Sequence, residues 1–181
     1  VFVIGGAALD ITGRPTAVMR PRDSNIGRVR LSVGGVGHNI AKALTRYDLA
    51  VELVTAVGTD FRTGMIERDC ADFGIGLSHT LRADGPGATY LNILDEDGDM
   101  LTAINDMEII DALTPAFFET KLNVLNAADM CVLDANLSPE ALSYLAERLT
   151  CPIFYEPVSC AKARRIGTHI GRCFAVKPNR F

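Results

Sequence analysis

The chain has 181 residues, 48% of them apolar and 22% charged, with a formal net charge of -4. That length and balance suit one globular core and exclude a disordered or low-complexity chain. The acidic net charge and the scattered Lys and Arg exclude a general nucleic-acid binder, which carries a basic stripe, and no apolar run is long enough to span a bilayer.

In chain order, Val1 to Ile4 reads as a first buried strand, not as a signal peptide, because it has no basic leader. Residues 11–33 look extended and are punctuated by Pro15, Pro21 and Gly27. Gly34-Gly35-Val36-Gly37 then opens a helix over Gly37 to Tyr47, whose Ile40, Ala41, Ala43, Leu44 and Tyr47 share one face. Val51 to Val57 predicts a strand, and Thr63 to Phe73 a helix stopped near Gly74, with Asp60 as its cap. Ala88 to Leu94 and Met100 to Ile104 predict a hairpin around the acidic turn Asp95-Glu96-Asp97-Gly98-Asp99.

Thr114-Pro115 and Ser138-Pro139 each place a capping hydroxyl before a proline at the first helical position. The helices they open lead to strands at Met130 to Leu133 and Ile153 to Tyr155. A further helix is expected over Ser159 to Ile170, and a strand over Cys173 to Val176. This alternation predicts an α/β fold with a mostly parallel sheet and helices on both faces. The extended residues 11–33 and 88–105 fit a small second sheet over one end of the core, where α/β folds bind ligands.

Cys70, Cys131, Cys151, Cys160 and Cys173 form no C-x-x-C pair, and the odd count reads as thiols in a reducing compartment. His38, His79 and His169 lie too far apart in sequence to suggest a metal cluster. The glycine-rich turn is not a dinucleotide fingerprint, because Ile40 stands where the third glycine belongs and no acid ends the next strand. Nor is it a P-loop, since no Gly-Lys-Ser/Thr occurs.

Gly34, Gly35, Asn39 and Ala41 instead match a Gly-Gly-x-x-x-Asn-x-Ala block. With Asp10 after the first strand, Val57-Gly58-Thr59-Asp60, and Lys177-Pro178-Asn179, they resemble the ribokinase-fold, PfkB-type carbohydrate kinase family. Asp23-Ser24-Asn25, Ala103-Ile104-Asn105-Asp106-Met107, Asp134-Ala135-Asn136 and Pro157-Val158-Ser159-x-x-Lys162 are similar to its pseudouridine kinase branch. Ala8 departs from that pattern where the family often has an Asn that contacts sugar, and Ile26 departs where a Pro is usual.

The resemblance implies a three-layer α/β/α sandwich with a small β lid, and it makes residues 1–181 the N-terminal, substrate-binding part of one kinase domain. It further implies ATP-dependent phosphorylation of the pseudouridine 5′-hydroxyl, with ATP, Mg²⁺ and K⁺ as cofactors. Asp10, Gly34, Gly35 and Asn39 would hold the ribose. Asn25 and Asp106 on the lid, and Lys162, would read the base. Asn179 would lie near the phosphates. A small-molecule nucleoside partner, a homodimer through the lid, association with or fusion to a pseudouridine-5′-phosphate glycosidase, and a cytoplasmic location also follow.

The catalytic base of the family sits in a Gly-Ala-Gly-Asp motif. This sequence has none, so no acid here is given the catalytic role. The chain alone is expected to be inactive, truncated before the nucleotide half. The alternatives are a kinase of another nucleoside or sugar such as ribose or adenosine, a non-catalytic ligand-binding chain, and a generic α/β interaction domain.

Overall fold

The computed structural model describes residues 1–178. Its centre is a parallel sheet of β1 (Phe2–Ile4), β4 (Glu52–Val54), β9 (Cys131–Asp134), β10 (Ile153–Glu156) and β11 (Ala175–Val176), in the order β11-β10-β9-β1-β4. Strand side chains alternate faces, and here both faces are apolar. Phe2, Ile4, Cys131, Leu133, Ile153 and Tyr155 point into one core with Phe118 of α3 (Pro115–Glu119), Leu125 of α4 (Leu122–Asn126), and Leu142 and Leu145 of α5 (Pro139–Arg148). Val3, Leu53 and Val132 point the other way, against Ala41 of α1 (Val36–Thr45) and Ile66 and Cys70 of α2 (Phe61–Asp72). The sheet is thus the middle of three layers, as its near-continuous apolar strands require.

The helix starts obey local chemistry. Asp60, Thr114 and Ser138 each accept a backbone N–H of the turn they open, and Pro115 and Pro139 occupy first helical positions. Ser138→Ala is expected to cost about 1 kcal/mol and to lower Tm by about 2–4 °C, read by thermal denaturation.

The extended pieces form a separate four-stranded sheet, β3-β2-β7-β8, from β2 (Ala8–Pro15), β3 (Gly27–Gly34), β7 (Thr89–Leu94) and β8 (Met100–Asp106). The β7–β8 turn closes as its acidic sequence predicts: the Asp95 carboxylate accepts the N–H groups of Asp97, Gly98 and Asp99. Register sets the chemistry of each face. Asp10, Ser32, Tyr90 and Asn105 stand abreast; in the next row stand Ile11, Leu31, Leu91 and Ile104. One face is therefore polar, and the other carries an apolar row whose Leu31 and Ile104 are exposed.

Two expectations change. The strand expected over 51–57 breaks at Thr55, and β5 (Ala56–Val57) leaves the main sheet to pair with β6 (Leu81–Arg82). The helix expected over Ser159 to Ile170 is one short turn, α6 (Cys160–Ala163), followed by 3-10 structure over Arg164–Arg172. Gly167 there takes φ 55, which no helix continues through.

Candidate active site

β1 ends at Gly5-Gly6, and β3 ends at Gly34-Gly35, where α1 begins. These two glycine turns touch. A Cβ on Gly35, whose φ is 94, would lie 2.5 Å from the Gly6 carbonyl oxygen, and the His38 N–H donates to that same oxygen at 3.1 Å. Backbone thus packs on backbone at the C-terminal edge of the parallel sheet, leaving room above it for a ligand.

That room is a cavity of about 210 Å³. Asp10 from β2, Asn39 from α1, Tyr90 from β7, Asn105 from β8 and Asn136 after β9 line it, with Val158 after β10. Asp10 decides its character. The carboxylate is half-buried, and burial raises its pKa above the ordinary 3.8. It makes no hydrogen bond or ion pair among the described residues. A Cβ on Gly34 would fall 2.1 Å from its Oδ2, so glycine there is what lets the carboxylate stand where it does. An acceptor desolvated without a partner, facing a cavity, is poised for hydroxyl donors of a ligand.

Asp134, at the end of β9, builds the floor. It is fully buried. Its carboxylate accepts the Gly6 N–H at 2.9 Å, the Asn136 N–H at 2.8 Å and the Asn136 Nδ2 at 3.1 Å, and the Gly37 N–H adds a further bond. Burial pushes its pKa up, and these donors pull it back. One carboxylate thereby ties the β1–β2 turn, the start of α1 and the loop after β9. Gly5 is required beside it, because a Cβ would sit 2.3 Å from Asp134 Cγ.

Beyond Asn136 the cleft continues into a second cavity of about 250 Å³, which shares Asn105, Met107 and Asn136 with the first and adds Glu108, Asp111, Lys162 and Arg165. Lys162 Nζ donates to Asn136 Oδ1 at 2.7 Å, and burial lowers the lysine's pKa.

The structure therefore brings Asp10, Gly34, Gly35 and Asn39 together and places Lys162 in the adjoining cavity. Asn25 and Asp106 stand elsewhere. The Asn25 amide accepts the Arg20 N–H and donates to the Arg20 and Asp23 carbonyls. It stabilises its own loop and lines a different cavity, near Arg14 and Ile93. Asp106 is exposed, because strand alternation turns its neighbour Asn105 to the cleft instead. Asn179 lies outside the described residues. Tyr90, Asn105, Asn136 and Asp134 are site residues that no role was read for in the sequence. Their signals in the sequence were the Asp134-Ala135-Asn136 and Ala103-Ile104-Asn105-Asp106-Met107 blocks of the resemblance, which marked Asp134, Asn136 and Asn105 without giving them roles; Tyr90 had none. His38 is wholly buried and bonds Asp69 of α2 through Nε2 at 2.8 Å, joining two helices outside the cleft. Among the described residues no cluster of three or more His, Cys, Asp or Glu could hold a metal, and no helix is long and apolar enough to cross a membrane.

A three-layer α/β/α core with a polar cleft between its strand ends and a second sheet defines a ribokinase-like fold. The pfkB family carbohydrate kinase model matches residues 1–181, and the chain belongs to that family. It is 33% identical to the pseudouridine kinase of Escherichia coli (strain K12), over 99% of this chain and 58% of that protein. It is 26% identical to the guanosine-inosine kinase of Exiguobacterium acetylicum, over 85% of this chain and 52% of that protein. A putative sugar kinase from Clostridium perfringens superposes with a TM-score of 0.86 at 32% identity, covering 99% of this chain and 58% of the other. The Arabidopsis thaliana ribokinase solved with ribose and ATP has a TM-score of 0.84 at 16% identity, covering 98% and 59%, and shows the fold alone. The chain spans little more than half the length of these relatives.

Proposed function

We propose that the natural polypeptide carrying this sequence transfers a phosphoryl group from MgATP to the 5′-hydroxyl of pseudouridine, and that residues 1–178 supply the nucleoside-binding part. The observation that carries this reading is the partnerless, half-buried Asp10 carboxylate, which shares a cavity with Asn39 and the Gly34-Gly35 turn. It accepts from ribose hydroxyls, while Asn39 offers both a donor and an acceptor. The 33% identity to a pseudouridine kinase points to that nucleoside. MgATP supplies the phosphoryl group and the cation that spreads its charge; this chain's own residues bind and orient the acceptor. The proton-accepting base is assigned to no residue here, because the family's Gly-Ala-Gly-Asp motif is absent from the sequence.

A second reading, a kinase of a different nucleoside, rests on the similarity to the guanosine-inosine kinase. Phosphorylation by the longest natural polypeptide, with pseudouridine, uridine, inosine and ribose side by side, separates the two. Preference for pseudouridine is the expected result. Preference for inosine would replace the first reading with the second, and activity on none would overturn both.

A further inference from the structure

Two thiols meet at the end of the main sheet away from the cleft. Cys131 opens β9, and Cys151 lies just before β10. Their sulfurs stand 3.5 Å apart, although the residues are 20 positions apart in the chain. Both are free thiols. The backbone on both flanks of Cys151 builds this approach. The Pro152 carbonyl accepts the Cys131 N–H at 3.0 Å. The Thr150 N–H donates to Asn126 Oδ1 at 2.8 Å, and Asn126 Nδ2 donates to the Arg148 carbonyl at 3.2 Å. The segment carrying Cys151 is thereby laced to β9 and to the end of α4.

The surroundings of the two sulfurs tolerate the loss of their protons. Both thiols face one acceptor, the Leu125 carbonyl oxygen, Cys131 at 3.8 Å and Cys151 at 3.7 Å. That oxygen also accepts the Ala128 N–H at 3.2 Å, so oxidation leaves it paired. The two positions differ in access. Cys131 is wholly buried, with β1 on one side of its strand and β10 on the other. Burial, and then the neighbouring Cys151, push its thiol well above the ordinary 9.0. Cys151 is only partly buried and lies in a loop. It is the sulfur a reagent reaches and the one free to move. A disulfide is about 2.0 Å long, so from 3.5 Å the sulfurs must close by about 1.5 Å.

We propose that Cys131 and Cys151 form a reversible disulfide that fastens the start of β9 to the segment before β10. The oxidant is a low-molecular-weight disulfide. The Cys151 thiolate attacks one of its sulfurs and expels the first small thiolate, leaving a mixed disulfide. The Cys131 thiolate then attacks the Cys151 sulfur and expels the second. Two protein thiols are oxidised, the small disulfide is reduced to two thiols, and the two protein protons end on those thiols. Because the Cys131 thiol ionises reluctantly, its attack is slow. Reduction is slow for the same reason: a reductant reaches only Cys151 and must expel Cys131, a poor leaving group. The bond behaves as a lock and not as a rapid switch.

The test incubates the longest natural polypeptide with oxidised glutathione, then maps its non-reduced peptides by mass spectrometry and records its thermal denaturation. A peptide linked through Cys131 and Cys151 is expected, with Tm raised by about 5–10 °C, as closing a loop of this length implies. Dithiothreitol is expected to cleave the bond about tenfold more slowly in the folded protein than in urea. Cys151→Ser should abolish both the link and the rise in Tm. Cys160→Ser, at an exposed thiol on α6, should change neither. The wild-type peptide map decides the matter even where a variant folds poorly. Glutathione retained on Cys151 without the link overturns the proposal, and so does a link through another cysteine in place of this one. A linked protein whose Tm is unchanged, or whose bond is reduced as fast folded as unfolded, overturns the lock.

Discussion

Asp10→Asn is expected to weaken nucleoside binding by roughly 100-fold, since an amide forfeits charge-assisted bonds worth about 1.5–3 kcal/mol each. The same substitution should leave the ligand-free protein as stable at pH 7, or more so. The carboxylate is held half-buried with no partner, and its pKa is raised by burial alone. A carboxyl whose folded pKa exceeds its unfolded value binds protons more tightly when folded. Its contribution to stability is therefore present at low pH and declines as pH rises through the window between 3.8 and the raised value. Ligand binding has the opposite sign, because hydroxyl donors need the ionised form. Affinity is full at neutral pH and is lost on acidification above 3.8, earlier than for an ordinary aspartate. Calorimetric titration across pH, beside thermal melts of both proteins, checks the pair. Loss of binding together with a lower Tm would mean that Asp10 is structural, not a ligand acceptor.

Gly35→Ala is the second large effect. At φ 94 an alanine is strained, costing about 1–3 kcal/mol. Its Cβ would also meet the Gly6 carbonyl oxygen at 2.5 Å and Ala7 Cα at 2.8 Å, backbone atoms that cannot rotate away. Overpacking of this kind adds about 1–3 kcal/mol. A total loss of about 2–6 kcal/mol is expected in chemical denaturation. Binding should fall as well, because any relief moves α1, and with it Asn39, away from Asp10. Gly64→Ala provides the contrast. Gly64 lies inside α2 with nothing within 4 Å of its would-be Cβ, so alanine should stabilise by about 0.5–1 kcal/mol. Equal tolerance of both substitutions would show that the two glycine turns do not pack as described.

How far each level of description reaches is visible in particular residues. The amino-acid sequence alone determined the alternation of apolar strands and amphipathic helices, the caps at Ser138 and Thr114, the Asp95 turn, the glycine-rich start of α1 and the presence of an acid at Asp10. All of these depend on residues within a few positions of one another, so local propensity and spacing carry them. Only the tertiary structure decided which polar groups share a cleft. Asn25 spends its amide on its own loop, and the one-residue register of β8 sends Asn105 to the cavity and Asp106 to solvent. Asp134 at the end of β9, Asn136 just beyond it and Lys162 in α6 after β10 are set side by side by the parallel pairing of β9 and β10. The physical reason is that strand pairing and helix packing, acting over long sequence separations, set those distances. A buried carboxylate acquires its role from the N–H groups that converge on it, and beside those of nearby Asn136 they include the N–H groups of Gly6 and Gly37, about a hundred residues away in the chain.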